Sequence, residues 1–164
     1  MSLLFSPLTI RQLTVEVVRA VRAEVGESIP VFVRFSASDL AEGGLEVDEV
    51  AQAAEWAIAA GADLTDVSTG GLVDRQRINI GPGDQVPQAA AIHAHTGALT
   101  TAVGVIVTGG QAEGILQGGH ADAIFAGREW LRDPHFGLRA ATELGEESEG
   151  LWPAQYLRAR RRRS

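Results

Sequence analysis

Two hydrophobic rhythms alternate along the chain. Short apolar runs rich in β-formers occur at Pro30–Phe35, Asp63–Ser68, Thr101–Val107 and Asp122–Gly127, each bounded by glycine, proline or polar residues. Runs of this length predict strands buried on both faces. Between them the apolar positions take helical spacing over Val15–Val25, Val47–Ala60, Gln85–His95, Gln111–Gln117 and Trp130–Leu144, the last interrupted at Pro134. Val50, Ala54 and Ile58 recur every four residues, while Glu49 and Glu55 can face water. Strand and helix alternating in this way predict βαβ units around a parallel sheet.

Two segments look like copies of one unit. "AAGADL" and "LQGGHADAI" each end a helix at glycine and start the next strand after Ala-Asp. Glycine supplies a left-handed helix cap and lets the chain return at once. The loops that follow the strands are unequal. "SASDLAEGGLEVD" follows the first and the longer "TGGLVDRQRINIGPGD" the second. Gly-rich loops at the C-terminal ends of parallel strands are where such folds place ligands.

Composition narrows the class. The chain has 164 residues, 45% hydrophobic and 21% charged, as expected of one soluble globular domain. No apolar run is long enough to span a membrane, and the N-terminus lacks the layout of a signal peptide. Without cysteine there is no disulfide framework and no thiolate chemistry, which favours a cytoplasmic setting. All 14 basic residues are arginine, so a Schiff-base lysine is excluded. The net charge of −7 understates the acidity of the body, because Arg158, Arg160, Arg161, Arg162 and Arg163 crowd the C-terminus. An acidic body disfavours nucleic acid, and the arginine tail is expected to be a solvated terminus rather than a nucleic-acid arm.

The candidate chemistry lies at two strand ends. In "VTGGQAEGIL", Gly109 and Gly110 allow close backbone approach to an anion, and the following helix start offers free N–H groups. "IFAGREWL" repeats the design with Gly127 and adds the guanidinium of Arg128. Two neighbouring turns of this kind suggest one phosphate held between them, as after the last two strands of a (β/α)8 barrel. Arg34 sits inside an apolar strand and needs a partner. Asp39 or Asp66 can pair with it, or it can point at a polar or anionic ligand group. His93 and His95 are two apart on a helix, hence on different faces, and are not expected to share a metal. HExxH, GxSxG and GxGxxG motifs are all absent.

"PVFVRFSASD", "GADLTDVSTGGLV", "INIGPGDQV", "AVGVIVTGGQAEGILQGGHADAIFAGREWLRDPHF" and "PAQYLR", in this order, resemble the C-terminal half of the old yellow enzyme family. The likeness is greatest to its bacterial, thermophilic-type ene-reductases and covers Val15 to Arg158. "LFSPLTIRQLT" resembles that family's extreme N-terminus. The resemblance implies a (β/α)8 barrel binding FMN noncovalently, with hydride passing from NAD(P)H to flavin and then to the activated C=C bond of an enone. It implies Arg34 beside the flavin's pyrimidine end, where a fixed positive charge would stabilise the reduced anion. Gly127 and Arg128 match the phosphate clamp, Gly109 a backbone contact in the preceding turn, and Ser68 a phosphate-side contact. Arg158, two residues after Tyr156, matches an arginine that can reach a neighbouring subunit's active site.

The departures define further expectations. The N-terminal segment runs directly into the helix before the family's fifth strand. The first four βα units are therefore missing, and with them the substrate-binding His pair and the tyrosine proton donor. Tyr156, the only tyrosine, lies in the tail. The expected fold is α/β, four βα units of a TIM-type (β/α)8 barrel, completed by self-association into a homodimer or higher oligomer. The expected organisation is an N-terminal segment over 1–14, a half barrel with the FMN-phosphate site over 15–145, and a tail over 146–164. Activity of this chain alone is expected to be weak or absent. The competing readings are a noncatalytic scaffold, or a phosphate-binding barrel isomerase.

Overall fold

A computed structural model describes residues 7–146 and 149–159. The chain forms α1 (Pro7–Val25), β1 (Phe32–Ser36), α2 (Val47–Ala59), β2 (Leu64–Ser68), α3 (Val86–Thr96), β3 (Thr100–Ala102), α4 (Gly109–Gln117) and β4 (Ala123–Ile124). Helices α5 (Gly127–Arg132) and α6 (Phe136–Leu144) follow, then two 3₁₀ turns, Glu149–Leu151 and Ala154–Ala159. No helix among the described residues is long and apolar enough to cross a membrane.

The four strands form one parallel sheet in the order β1-β2-β3-β4. Consecutive order with right-handed crossovers places every connecting helix on the same face. That face carries Val33, Phe35, Val67, Ala102 and Ile124, packed against Val18, Val50, Ala54, Ala57, Ala89, Ile92 and Ile115. Small residues let the helices lie close: Ala54, Ala57 and Ala89 are fully buried. The register aligns Arg34 with Asp66, Asp66 with Thr101, and Thr101 with Ala123 in one row on the opposite, concave face. A doubly wound sheet would reverse its strand order and cover both faces. This arrangement is the wall of a half barrel.

The repeated unit is real and has a side-chain device. Gly61 and Gly119 take φ of 113° and 65°, a region glycine enters without penalty. Two or three residues on, Asp63 and Asp122 each clip the start of the preceding strand. Asp63 Oδ2 accepts from Val31 N at 2.7 Å and its own N–H donates to Val31 O at 2.9 Å. Asp122 Oδ2 accepts from Thr100 N and its N–H donates to Thr100 O, both at 2.8 Å. Each aspartate also faces a basic side chain from the adjoining helix, Arg22 in one case and the His93 ring in the other.

Several boundaries differ from expectation. The third strand stops at Ala102, because Gly104 (φ 117°) and Val105 (φ 43°) turn the chain. The Gln111 side chain then holds the turn, donating to Val105 O and accepting from Val107 N, each at 3.1 Å. The fourth strand is only Ala123–Ile124, although Phe125 N still bonds Ala102 O at 2.9 Å. Gly127 therefore opens a helix and does not close a strand. Helix α4 begins at Gly109 behind Thr108, whose side chain caps Gln111 N at 3.1 Å. Helix α1 begins at Pro7, ahead of the apolar period that starts at Val15. The interruption at Pro134 holds, separating α5 from α6.

Candidate functional site

The concave face gathers a polar row across three strands. Arg34 Nη1 donates to Asp66 Oδ2 at 2.9 Å, and its Nε to Ser68 Oγ at 3.3 Å. Thr101 Oγ1 donates to the other Asp66 oxygen at 2.6 Å. Asp66 is buried, while the Arg34 side chain keeps 56% of its surface exposed. A buried carboxylate thus anchors a guanidinium that stays half exposed. Asp66, not Asp39, is the partner. Asp39 is occupied by its own loop, accepting from Leu45 N at 2.9 Å. Ser68 Oγ donates to Phe35 O at 3.3 Å, so this hydroxyl organises the row.

At the far edge, the two glycine turns differ. A Cβ at Gly127 would meet nothing within 4 Å, and its backbone is helical. No protein neighbour demands glycine there, and the turn is open to an incoming group. Arg128 beside it is exposed and has no ion-pair partner among the described residues. Gly109 is the opposite case. A Cβ there would lie 2.9 Å from Ala140 Cα and O, so glycine is required for α4 to approach α6. Its N–H donates to Glu143 Oε2 at 2.9 Å. A carboxylate from α6 therefore stands at the α4 N-terminus, where the expected phosphate contact would be made.

Glu143 belongs to a cluster around Arg139. That guanidinium bonds Asp133 at 2.7 Å and Glu129 and Glu143 at 2.8 Å. The Gly109 N–H, followed by Arg139, lowers the Glu143 pKa; the Arg139 hydrogen bond lowers that of Asp133. The acids in turn raise the pKa of Arg139. Arg139 also lies 5.1 Å above the Phe136 ring, which meets Trp130 edge-on at 5.6 Å.

Arg158 and Tyr156 are exposed in the last 3₁₀ turn. Of the arginine tail, 160–163 lie outside the described residues. His93 and His95 sit on α3 and part company, His93 toward Asp122 and His95 toward Glu55.

One residue of the region is left open by the sequence and another escapes it. Asp66 is one of two acids that could pair with Arg34 until strand register aligns them. Glu143 carries no local signal, because its partner is 34 positions away.

Residues 11–147 match the model of the NADH:flavin oxidoreductase / NADH oxidase family. Curated relatives include NADPH dehydrogenases of Listeria monocytogenes serotype 4a (strain HCC23) and Listeria welshimeri serovar 6b. Each is 46% identical over 144 residues, which is 88% of this chain and 41% of the relative. The chain thus spans less than half the length of these relatives. A solved 2-naphthoyl-CoA reductase complex shares the fold with a TM-score of 0.72 at 24% identity, covering 83% of this chain and 21% of that one. By class the chain is an α/β protein whose four-stranded parallel sheet has the fold of a barrel wall. It belongs to the NADH:flavin oxidoreductase / NADH oxidase family, the old yellow enzymes, in which FMN works with NADH or NADPH as electron donor.

The residues present fit such a cofactor in part. An open glycine turn with an unpaired arginine suits a phosphate. A half-exposed arginine on the concave face suits an electron-rich ring edge. The Gly109 turn does not offer its N–H in this arrangement.

Proposed function

We propose that this chain is a flavin-binding half of an NAD(P)H-dependent oxidoreductase, holding FMN by its phosphate at Gly127–Arg128 and by its ring at Arg34. The single observation carrying this reading is the open turn at Gly127 beside the unpaired Arg128. Arg34 and Arg128 stand on and just beyond opposite edge strands, as an elongated ligand with a ring at one end and a phosphate at the other requires. When bound, FMN would supply hydride chemistry. The chain's own part is to fix the ring with the Asp66-anchored Arg34 and to neutralise the phosphate with Arg128. Ser68 serves this reading by steadying Arg34, and Gly109 by seating α6 beside the phosphate turn. Arg158, exposed near the C-terminus, is available to a neighbouring subunit.

The same reading makes this chain a poor enzyme alone. The His pair and proton-donor tyrosine of the resembled family have no counterpart here, so enone reduction by the chain on its own should be slow or absent. Self-association, into a homodimer or higher oligomer, supplies the missing wall of the barrel.

Titrating the purified chain with FMN and following flavin fluorescence tests the proposal. Saturable quenching is expected, with Arg128→Ala weakening affinity at least about tenfold, the worth of one charge-assisted hydrogen bond of ~1.5 kcal/mol. Riboflavin, lacking the phosphate, should bind more weakly and ignore that substitution. No binding of FMN at several hundred micromolar would leave the scaffold reading, which the packing need for Gly109 already favours at that one position.

A further inference from the structure

Helices α2 and α3 each straddle two strands: α2 packs on β1 and β2, and α3 on β2 and β3. Helix α1 has a strand on one side only. Its Val18 is buried against Ala57 and Ala62, whereas Leu13, Val17 and Val21 are exposed at 59%, 52% and 40%. These three recur every four residues and form one stripe. The stripe lines a groove of about 470 Å³ whose other wall is β1, from Val31 to Phe35. That groove runs along the edge of β1, which has no strand beside it among the described residues. A bare strand edge beside the apolar stripe of α1 suits one more strand.

The opposite edge offers such a strand. β4 has no outer neighbour among the described residues, runs parallel to β1, and is followed by exposed Phe125, Trp130 and Leu131. We infer that the groove between α1 and β1 receives the β4 edge of a second copy of this chain, and that a twofold axis along the strands makes both junctions at once. Two copies give eight strands, the number at which a parallel sheet closes into a barrel with a filled interior. Closure removes both bare edges, which would otherwise template open-ended pairing. The occupant is a second copy because one chain carries both halves of the junction. This inference rests on the half-barrel reading above and not on flavin.

The test is run without FMN. Sedimentation velocity of the full chain at tens of micromolar should give a dimer. Val17→Glu should give a monomer of unchanged helical circular dichroism, while Leu72→Glu, in the β2–α3 loop, should remain dimeric. The chain has no cysteine, so two single variants, Phe32→Cys and Ala123→Cys, report which edges meet. Mixed and allowed to exchange, they should join through a short bis-maleimide, and neither should join to itself. A monomer, a ladder of higher species, or crosslinking within either variant alone overturns the inference. A dimer that binds no FMN overturns only the flavin reading, and Arg128→Ala should leave association unchanged.

Discussion

Asp66 uses one carboxylate oxygen for Arg34 and the other for Thr101, so it ties three strands at one level. Removing the cation while keeping the acid leaves a buried charge without its counterion, the costlier half of such a pair to strand. Arg34→Met should therefore lower the urea midpoint more than the double variant Arg34→Met/Asp66→Asn. The coupling expected in a double-mutant cycle is about 1 kcal/mol or more, moderated because Arg34 is half exposed. Additive effects would mean that Asp66 does not hold Arg34. Gly109 and Gly127, each at a helix start after a strand, make a second contrast at this scale. Gly109→Ala pushes a methyl against the Ala140 backbone and should cost about 1–3 kcal/mol in thermal unfolding. Gly127→Ala meets no protein atom and should leave stability unchanged or slightly raised, while weakening FMN binding. Equal losses of stability in both would show that Gly127 is structural.

Elements were largely legible because their signals are local. The period of Val50, Ala54 and Ile58 and the cap glycines Gly61 and Gly119 mark α2 and both repeat units without reference to anything distant. Strand ends were not, because Thr101–Val107 is continuous in composition yet is bent by a backbone conformation that Gly104 and Val105 adopt around Gln111. The site divides along the same line. The glycine turns and Arg34 are short-range patterns, whereas the Arg34–Asp66 pair and the Glu143–Gly109 contact exist only after register and helix packing are set. These contacts also set the acid response of the elements. Asp63 is lowered by the Val31 N–H and Arg22, and Glu143 by the Gly109 N–H and Arg139. A carboxylate whose folded pKa lies below its unfolded value stabilises the fold above the unfolded value. That contribution fades as pH falls through the folded one. Stability should thus decline below the ordinary carboxylate range. Asp63→Asn should flatten part of that slope and Glu143→Gln another part. Unchanged acid profiles in urea titrations would show that neither contact matters to the fold.

At the scale of the molecule, the half barrel is a wall whose inner face carries Arg34 and whose outer face carries the helices. Family membership and fold say what this wall is built from, and the length of the relatives says that they hold more than it does. The position of the two arginines adds a mechanical consequence. Arg34 stands on one outermost strand and Arg128 just beyond the other, with β2 and β3 between them. A single molecule gripped at both places would lie like a tie rod across the whole sheet. Backbone amides of β1 and of Phe125–Arg128 should then gain hydrogen-exchange protection together on adding FMN, in one step and with one concentration dependence. Protection confined to either end would mean that the ligand hangs from a single hook.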